Sequence, residues 1–152
     1  MLRLEDVHVY YGLSHVIQGI SLHVPAGARV CLLGRNGVGK STTLRAIMGL
    51  VPPKKGFIYF QGRPLNGLPP HVIAGLGIAY VHEDRRIFPD LTVEENLQVG
   101  LRVPPSRPAF FTSVAQLLER FPLLERLRDR LGGRLSGGEQ QLLALARAVA
   151  GN

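Results

Sequence analysis

Apolar and polar positions at the start of the chain partly alternate. Leu2 and Leu4, then Val7 and Val9, are separated by polar residues as far as Tyr10, which predicts a strand with one buried face. Val16, Ile17, Ile20, Leu22 and Val24 form a second β-like run. Pro25-Ala26-Gly27 then turns the chain into the apolar stretch Arg29-Val30-Cys31-Leu32-Leu33, read as a third strand. Beyond Lys40 the period lengthens. Leu44, Ile47, Met48 and Val51 fall at i, i+3, i+4 and i+7, an amphipathic helix ending near Gly49 and Pro52-Pro53. Phe57 to Phe60, between Gly56 and Gly62, predicts a short strand. Asn66-Gly67 and Pro69-Pro70 mark a loop, and Gly77 to Val81 a buried strand.

From Leu91 the pattern is helical. Thr92-Val93-Glu94-Glu95 has capping-box spacing, in which the threonine hydroxyl and the Glu95 carboxylate each satisfy an unpaired N–H. Pro104-Pro105 and Pro108 break the chain, and Ser113 opens a helix with Val114, Leu117, Leu118 and Phe121 on one face. Pro122 interrupts before another helical run, Leu123 to Leu131. A last helix presents Leu142, Leu145, Ala146 and Val149. The predicted class is α/β: antiparallel strands leading into an α/β core over about residues 1–90, followed by a helical subdomain over 91–152.

Composition narrows the setting. At 152 residues, with 45% hydrophobic and 19% charged content, the chain can bury one domain's core. No stretch has the apolar length of a membrane span, and Met1-Leu2-Arg3-Leu4-Glu5-Asp6 lacks a signal peptide's layout, so a cytosolic location is expected. Cys31 is read as a small buried hydrophobe in a reducing compartment. The net charge of +7 raises nucleic acid as a partner. The basic residues are scattered, however, and those from Arg120 to Arg134 alternate with Glu125 and Asp129. Solvated helical faces explain them, and no nucleic-acid partner is expected.

The candidate chemistry begins at Gly34-Arg35-Asn36-Gly37-Val38-Gly39-Lys40-Ser41, which fits Gly-x-x-x-x-Gly-Lys-Ser/Thr between a predicted strand and a predicted helix. Glycines let the backbone curl so that successive N–H groups face phosphate oxygens. Lys40 adds a point charge, Ser41 a hydroxyl for Mg²⁺, and the following helix its positive end. The implied ligand is a nucleoside triphosphate.

A second motif, Leu135-Ser136-Gly137-Gly138-Glu139-Gln140-Gln141, opens the last helix, and Ser136 with Glu139 again has capping-box spacing. Two glycines in a first turn are costly for helix initiation alone. They suit a backbone that another group approaches closely, at a second anion-binding terminus.

The pair of motifs resembles the nucleotide-binding domain of ATP-binding-cassette (ABC) transporters, a P-loop NTPase core with an N-terminal antiparallel β part and a helical signature subdomain. The resemblance implies that Gly34 to Thr42 hold ATP with Mg²⁺ on Ser41. It also implies that Ser136, Gly137, Gly138, Glu139 and Gln140 act in trans, on the nucleotide of a second ATPase subunit in a homo- or heterodimer. An aromatic residue at the place of Tyr11 stacks on adenine in that family, with Tyr10 as the fallback. On the residues alone, both are equally well explained as strand aromatics.

Gly77 to Leu97, containing Tyr80-Val81-His82-Glu83-Asp84-Arg85-Arg86, is similar to the segment following the core strand in branched-chain amino acid uptake ATPases. Glu83 stands where most of the superfamily has glutamine, which implies a role at Mg²⁺ or its water and in sensing the membrane partner. The alternative is a surface acid balancing Arg85 and Arg86. His82 and Asp84 depart from the subgroup's proline and glycine.

The implied function is the ATP-binding subunit of an importer of branched-chain amino acids or a related amino-acid or amide solute. Such a subunit would be peripheral at the cytoplasmic face of the membrane, bound to transmembrane permease subunits and served indirectly by a solute-binding protein. A non-transport ATPase of the same superfamily, or an inert nucleotide-binding fragment, is the alternative. Intact relatives continue into an apolar strand ending in aspartate and then a catalytic glutamate. Glu94, Glu95, Glu119 and Glu125 lie in helical patterns and do not replace it. The expectation is an incomplete C-terminal part, low stability and no general base for ATP turnover.

Overall fold

The computed structural model describes residues 1–102 and 111–151. The predicted breaks at Pro104-Pro105 and Pro108 lie outside the described residues. The chain divides into two compact units, Met1–Leu76 and Gly77–Asn152.

The first unit is built on strands β1 (Leu2–Tyr11) and β2 (Ser14–Val24), paired antiparallel with Leu2 opposite Val24 and Val9 opposite Ile17. Helix α1 (Lys40–Ile47) follows, then β3 (Lys55–Phe60), the two-residue β4 (Arg63–Pro64) and helix α2 (Pro70–Gly75). The sheet order is β2-β1-β3-β4, antiparallel throughout. Leu4, Val7 and Val9 are buried. The change of phase between Leu4 and Val7 is a bulge: Asp6 adopts φ 45° and its N–H donates to Ser21 Oγ at 2.9 Å. Gly56, at φ 79°, lies against that bulge, where a Cβ would collide with the Glu5 and Asp6 carbonyl oxygens. Only glycine fits there.

The second unit is helical: α3 (Val93–Leu101), α4 (Val114–Arg120), α5 (Pro122–Glu125) and α6 (Gly137–Ala150), with a 3₁₀ turn at Gly132–Arg134. Val93, Leu97, Leu117, Leu118, Leu124, Leu143 and Ala146 share its core, each buried leucine contributing about 1.5–3 kcal/mol of apolar burial. Where α3 crosses α6, a Cβ on Gly100 would stand 2.9 Å from the Arg147 carbonyl oxygen, so glycine sets the spacing. Both capping boxes form with reciprocal bonds, Thr92 with Glu95 and Ser136 with Glu139.

Several expectations are corrected. Arg29 to Leu33 and Gly77 to Val81 are not strands, because no described segment pairs with either and a lone extended run has no ladder. Cys31 is exposed rather than buried. In α1 the buried positions are Thr42, Thr43, Ala46 and Ile47, while Leu44 is 42% exposed. In α6 the packed face is Leu143, Ala144, Ala146 and Ala150, with Leu145 and Val149 outward. Pro70 opens a helix where a loop was expected, fitting proline's place in a first turn. Helical structure after Pro122 ends at Glu125, short of Leu131.

Candidate functional site

The glycine loop lies in the first unit. Gly37 and Gly39 adopt φ 85° and 97°, a region L-residues rarely enter. Gly39 is the N-cap of α1 and lies against the Ile17 side chain of β2, which leaves no room for a Cβ. Its carbonyl accepts from Thr43 N (2.8 Å) and Thr43 Oγ1 (3.0 Å), fixing the first turn. Lys40 Nζ folds back onto the loop and donates to the carbonyls of Gly34 and Arg35, both at 2.8 Å. The ammonium therefore stands at the mouth of the curl. Asn36, Val38 and Ser41 are exposed, and Thr42 is buried.

Nothing described in this unit neutralises the positive charge. No acid occupies the first turn of α1. Glu5 pairs with Arg3 and Asp6 with His8. A helix N-terminus and a lysine form a positive terminus suited to phosphate. Beside it is a cavity of about 360 Å³, lined by Val16, Ile17, Leu33, Val38, Gly39 and Lys40.

The two tyrosines at the β1–β2 turn differ. Tyr10 is engaged: its ring stacks on His15 at 4.0 Å and 6°, and Lys54 Nζ lies 5.0 Å from its centroid. Tyr11 is 42% exposed, opposite Ser14 at the hairpin end.

The signature lies in the second unit. Ser136 caps α6, its Oγ accepting from Glu139 N at 3.4 Å while Glu139 Oε2 accepts from Ser136 N at 2.6 Å. Those bonds from Ser136 hold the Glu139 carboxyl below the usual carboxylate range. Gly137 and Gly138 are exposed. A Cβ on Gly138 would meet nothing within 4 Å, so no contact inside the unit accounts for glycine there.

Glu83 is exposed, in a turn closed by Arg85 N donating to His82 O at 3.0 Å. The neighbouring arginines do not turn to it. Arg86 Nε donates to Asp84 Oδ2 at 3.1 Å and Arg85 Nη1 to Gln140 Oε1 at 3.0 Å. Among the described residues, no group of three or more His, Cys, Asp or Glu could hold a metal ion. The exposed Ser41 hydroxyl is the available donor beside the loop.

Three residues with structural roles at these sites escape the sequence patterns. Thr43 locks the loop from a position that reads as polar surface. Asn96 is fully buried and bonds both Phe88 backbone groups and the carbonyls of Leu91 and Thr92. Its signal was a polar residue at core phase between Val93 and Leu97. Arg85 reaches Gln140 across 55 residues, which no local pattern announces.

Known proteins resemble the chain over most of its length. Residues 17–152 match the family model described as ABC transporter. The chain is 40% identical, over 98% of its length, to the high-affinity branched-chain amino acid transport ATP-binding protein BraG of Pseudomonas aeruginosa. It is 37% identical, over its whole length, to the lipopolysaccharide export system ATP-binding protein LptB of Haemophilus influenzae. It spans 64% of each of these relatives, a little under two thirds. Among solved structures, an ATP-binding cassette in a dimeric post-hydrolysis state bound to ADP and Pi superposes with a TM-score of 0.85 at 28% identity, over 100% of this chain and 70% of that one.

Proposed function

The chain belongs to the ABC transporter family, and on that premise we propose that it is the ATP-binding part of an importer subunit for branched-chain amino acids or a related amino-acid or amide solute. One observation carries the nucleotide assignment: the Lys40 ammonium at the mouth of the Gly37–Gly39 curl, with both acids of β1 paired elsewhere. Gly34 to Lys40 hold the phosphates through backbone N–H groups and the ammonium, while Ser41 and Thr42 start the helix that points its positive end at them. Ser41 would hold Mg²⁺ through its hydroxyl, and the ion would supply positive charge that offsets the phosphates. Tyr11 takes the adenine face, since Tyr10 is already stacked on His15.

Ser136, Gly137 and Gly138 serve the nucleotide of a second subunit, with Glu139 and Gln140 holding the turn in place. The unhindered Gly138 supports this assignment. Glu83 would act at Mg²⁺ or its water and in sensing the permease. That Arg85 and Arg86 are bonded elsewhere supports this over simple charge balance. The likeness to the Pseudomonas aeruginosa relative and the segment around Glu83 support the solute class. Among the described residues no helix is long and apolar enough to cross a membrane. In this reading the subunit is attached to the cytoplasmic face through permease subunits, with a solute-binding protein upstream.

The described residues place no free carboxylate in the glycine-loop unit. We infer that these 152 residues bind ATP without turning it over. Calorimetric titration with ATP and Mg²⁺ tests the reading: saturable binding is expected, weakened about tenfold or more in Lys40→Ala, the loss of a charge-assisted contact. Equal binding by wild type and Lys40→Ala would overturn the nucleotide assignment. Steady Mg²⁺-dependent phosphate release would overturn the inference of no turnover. Leucine uptake by cells with and without the gene tests the solute class.

A further inference from the structure

Arg85 and Arg86 are consecutive non-glycine residues at positive φ, 61° and 49°, a conformation disfavoured for L-residues and kept only where surrounding contacts over-determine it. Those contacts are visible. Arg85 Nη1 donates to Gln140 Oε1 at 3.0 Å, and its guanidinium covers Gly137, where a Cβ would stand 3.3 Å from Nη2. Gln140 is oriented in turn by its Nε2 donating to Gly132 O at 3.3 Å. Arg86 is fixed by its N–H to Asp84 O (2.7 Å) and its Nε to Asp84 Oδ2 (3.1 Å). Arg147 Nη1 donates to Arg86 O at 2.9 Å, its guanidinium 4.5 Å from the Phe88 ring centre. Phe88 is gripped by Asn96. The loop 82–88 is thus tied to α6 at the first turn through Gln140 and at the last turn through Arg147.

We propose that Arg85 is a positioning residue of the signature. Its guanidinium makes the Glu83 turn and the first turn of α6 move as one piece, so that displacement of that turn re-aims Ser136, Gly137 and Gly138. The strained backbone at Arg85 supplies the direction: releasing the Gln140 contact lets Arg85 relax while Arg86 stays held by Asp84 and Arg147, so the strap holds or lets go rather than stretching. Gly137 is part of the device: a Cβ there would stand 3.3 Å from Arg85 Nη2, so a side chain would make the guanidinium give by a few tenths of an ångström. The proposal rests on the reading above, in which the signature meets a second subunit's nucleotide.

Two measurements on the 152-residue chain separate the outcomes. In hydrogen exchange, Arg85→Ala is expected to speed exchange about fivefold in residues 136–143 as well as 82–88, with 93–101 unchanged. Arg85→Lys, which keeps a cationic donor, is expected to restore part of the protection. Acceleration confined to 82–88 would overturn the strap. In nucleotide assays, Arg85→Ala is expected to leave the chain's own ATP affinity unchanged and to weaken ATP-driven self-association about fivefold, again with partial rescue by lysine. An equal loss in both would mark Arg85 as merely structural and overturn the proposal. A wild type that binds no ATP, or binds it without associating, would refute the nucleotide or in-trans reading, and the exchange comparison would still decide the strap.

Discussion

Gly39→Ala tests whether the loop's shape comes from local backbone freedom or from packing against β2. Gly39 sits at φ 97°, ψ 6°, where an L-residue is strained by about 1–2 kcal/mol. The added methyl would also strike the Ile17 side chain, itself only 4% exposed, and overpacking of this kind costs about 1–3 kcal/mol. The sum is about 2–5 kcal/mol, a large share of a small unit's stability. The second term can be removed separately. Ile17→Val deletes the colliding methyl at a cost of about 0.5–1.5 kcal/mol by itself, so in Gly39→Ala/Ile17→Val the two losses should be less than additive by about 1 kcal/mol or more. Urea unfolding of the four proteins yields the coupling, and ATP titration shows whether the loop recovers with it. Destabilisation by Gly39→Ala of under about 0.5 kcal/mol, the range of an ordinary surface change, would refute the reasoning. Strict additivity would refute the contact with Ile17.

Tyr11→Ala should weaken ATP binding by about 1–3 kcal/mol, the range for base–aromatic stacking, without shifting the unfolding midpoint. Tyr10→Ala should do the reverse, losing about 0.5–1.5 kcal/mol of stability with its stack on His15. Asn96→Leu should cost at least about 2 kcal/mol in urea unfolding, because the Phe88 N–H and the carbonyls it satisfies lose their partner. The Glu139 carboxyl is held below its ordinary range by bonds from Ser136, and the Glu94 carboxyl by the bond from Arg128. A depressed carboxyl adds stability at pH above its unfolded value, lost as pH falls through the folded value. Unfolding midpoints should therefore drop on acidification below about pH 5. Glu139→Gln, which keeps the capping geometry without a titrating proton, should flatten that limb.

What the sequence made legible was local. Both capping boxes formed because every partner lies within four residues, so the pattern contains the whole interaction. The β1–β2 and α4 patterns held for a similar reason: phase along one element decides which side is buried. Arg29 to Leu33 and Gly77 to Val81 failed because a strand needs a neighbour, and pairing is not written in the run itself. The faces of α1 and α6 are right at Ile47, Met48 and Ala146, which are buried, and wrong at Leu44, Leu145 and Val149, which ranking on hydrophobicity puts inside. Thr43 is buried by its bond to Gly39 O, and Ala144, Ala146 and Ala150 are buried while the larger Leu145 and Val149 are not. Tyr10 and Tyr11 could not be separated until His15 was placed against one of them.

The two candidate anion sites share one physical property, and it bears on why both belong to a single function. A helix N-terminus ordinarily satisfies itself, with a cap, a first-turn acid, or both. At α1 neither occurs: Gly39 has no side chain to cap with, the first turn holds no acid, and Lys40 adds charge of the same sign. At α6 the cap and Glu139 are present, yet Gly137 and Gly138 stay in the first turn, where each costs about 1 kcal/mol against alanine. Arg85 occupies the space over Gly137, while the space over Gly138 is open. Stability within either unit would favour an acid at the first terminus and a side chain at the second. Features that folding does not reward are selected by something outside the fold. On the proposed function, an anion would close the first, and a close approach by a separate molecule would use the second. A phosphate chain held by one subunit and covered by another would meet both conditions, whereas two unrelated ligands would leave the pairing of the two motifs unexplained.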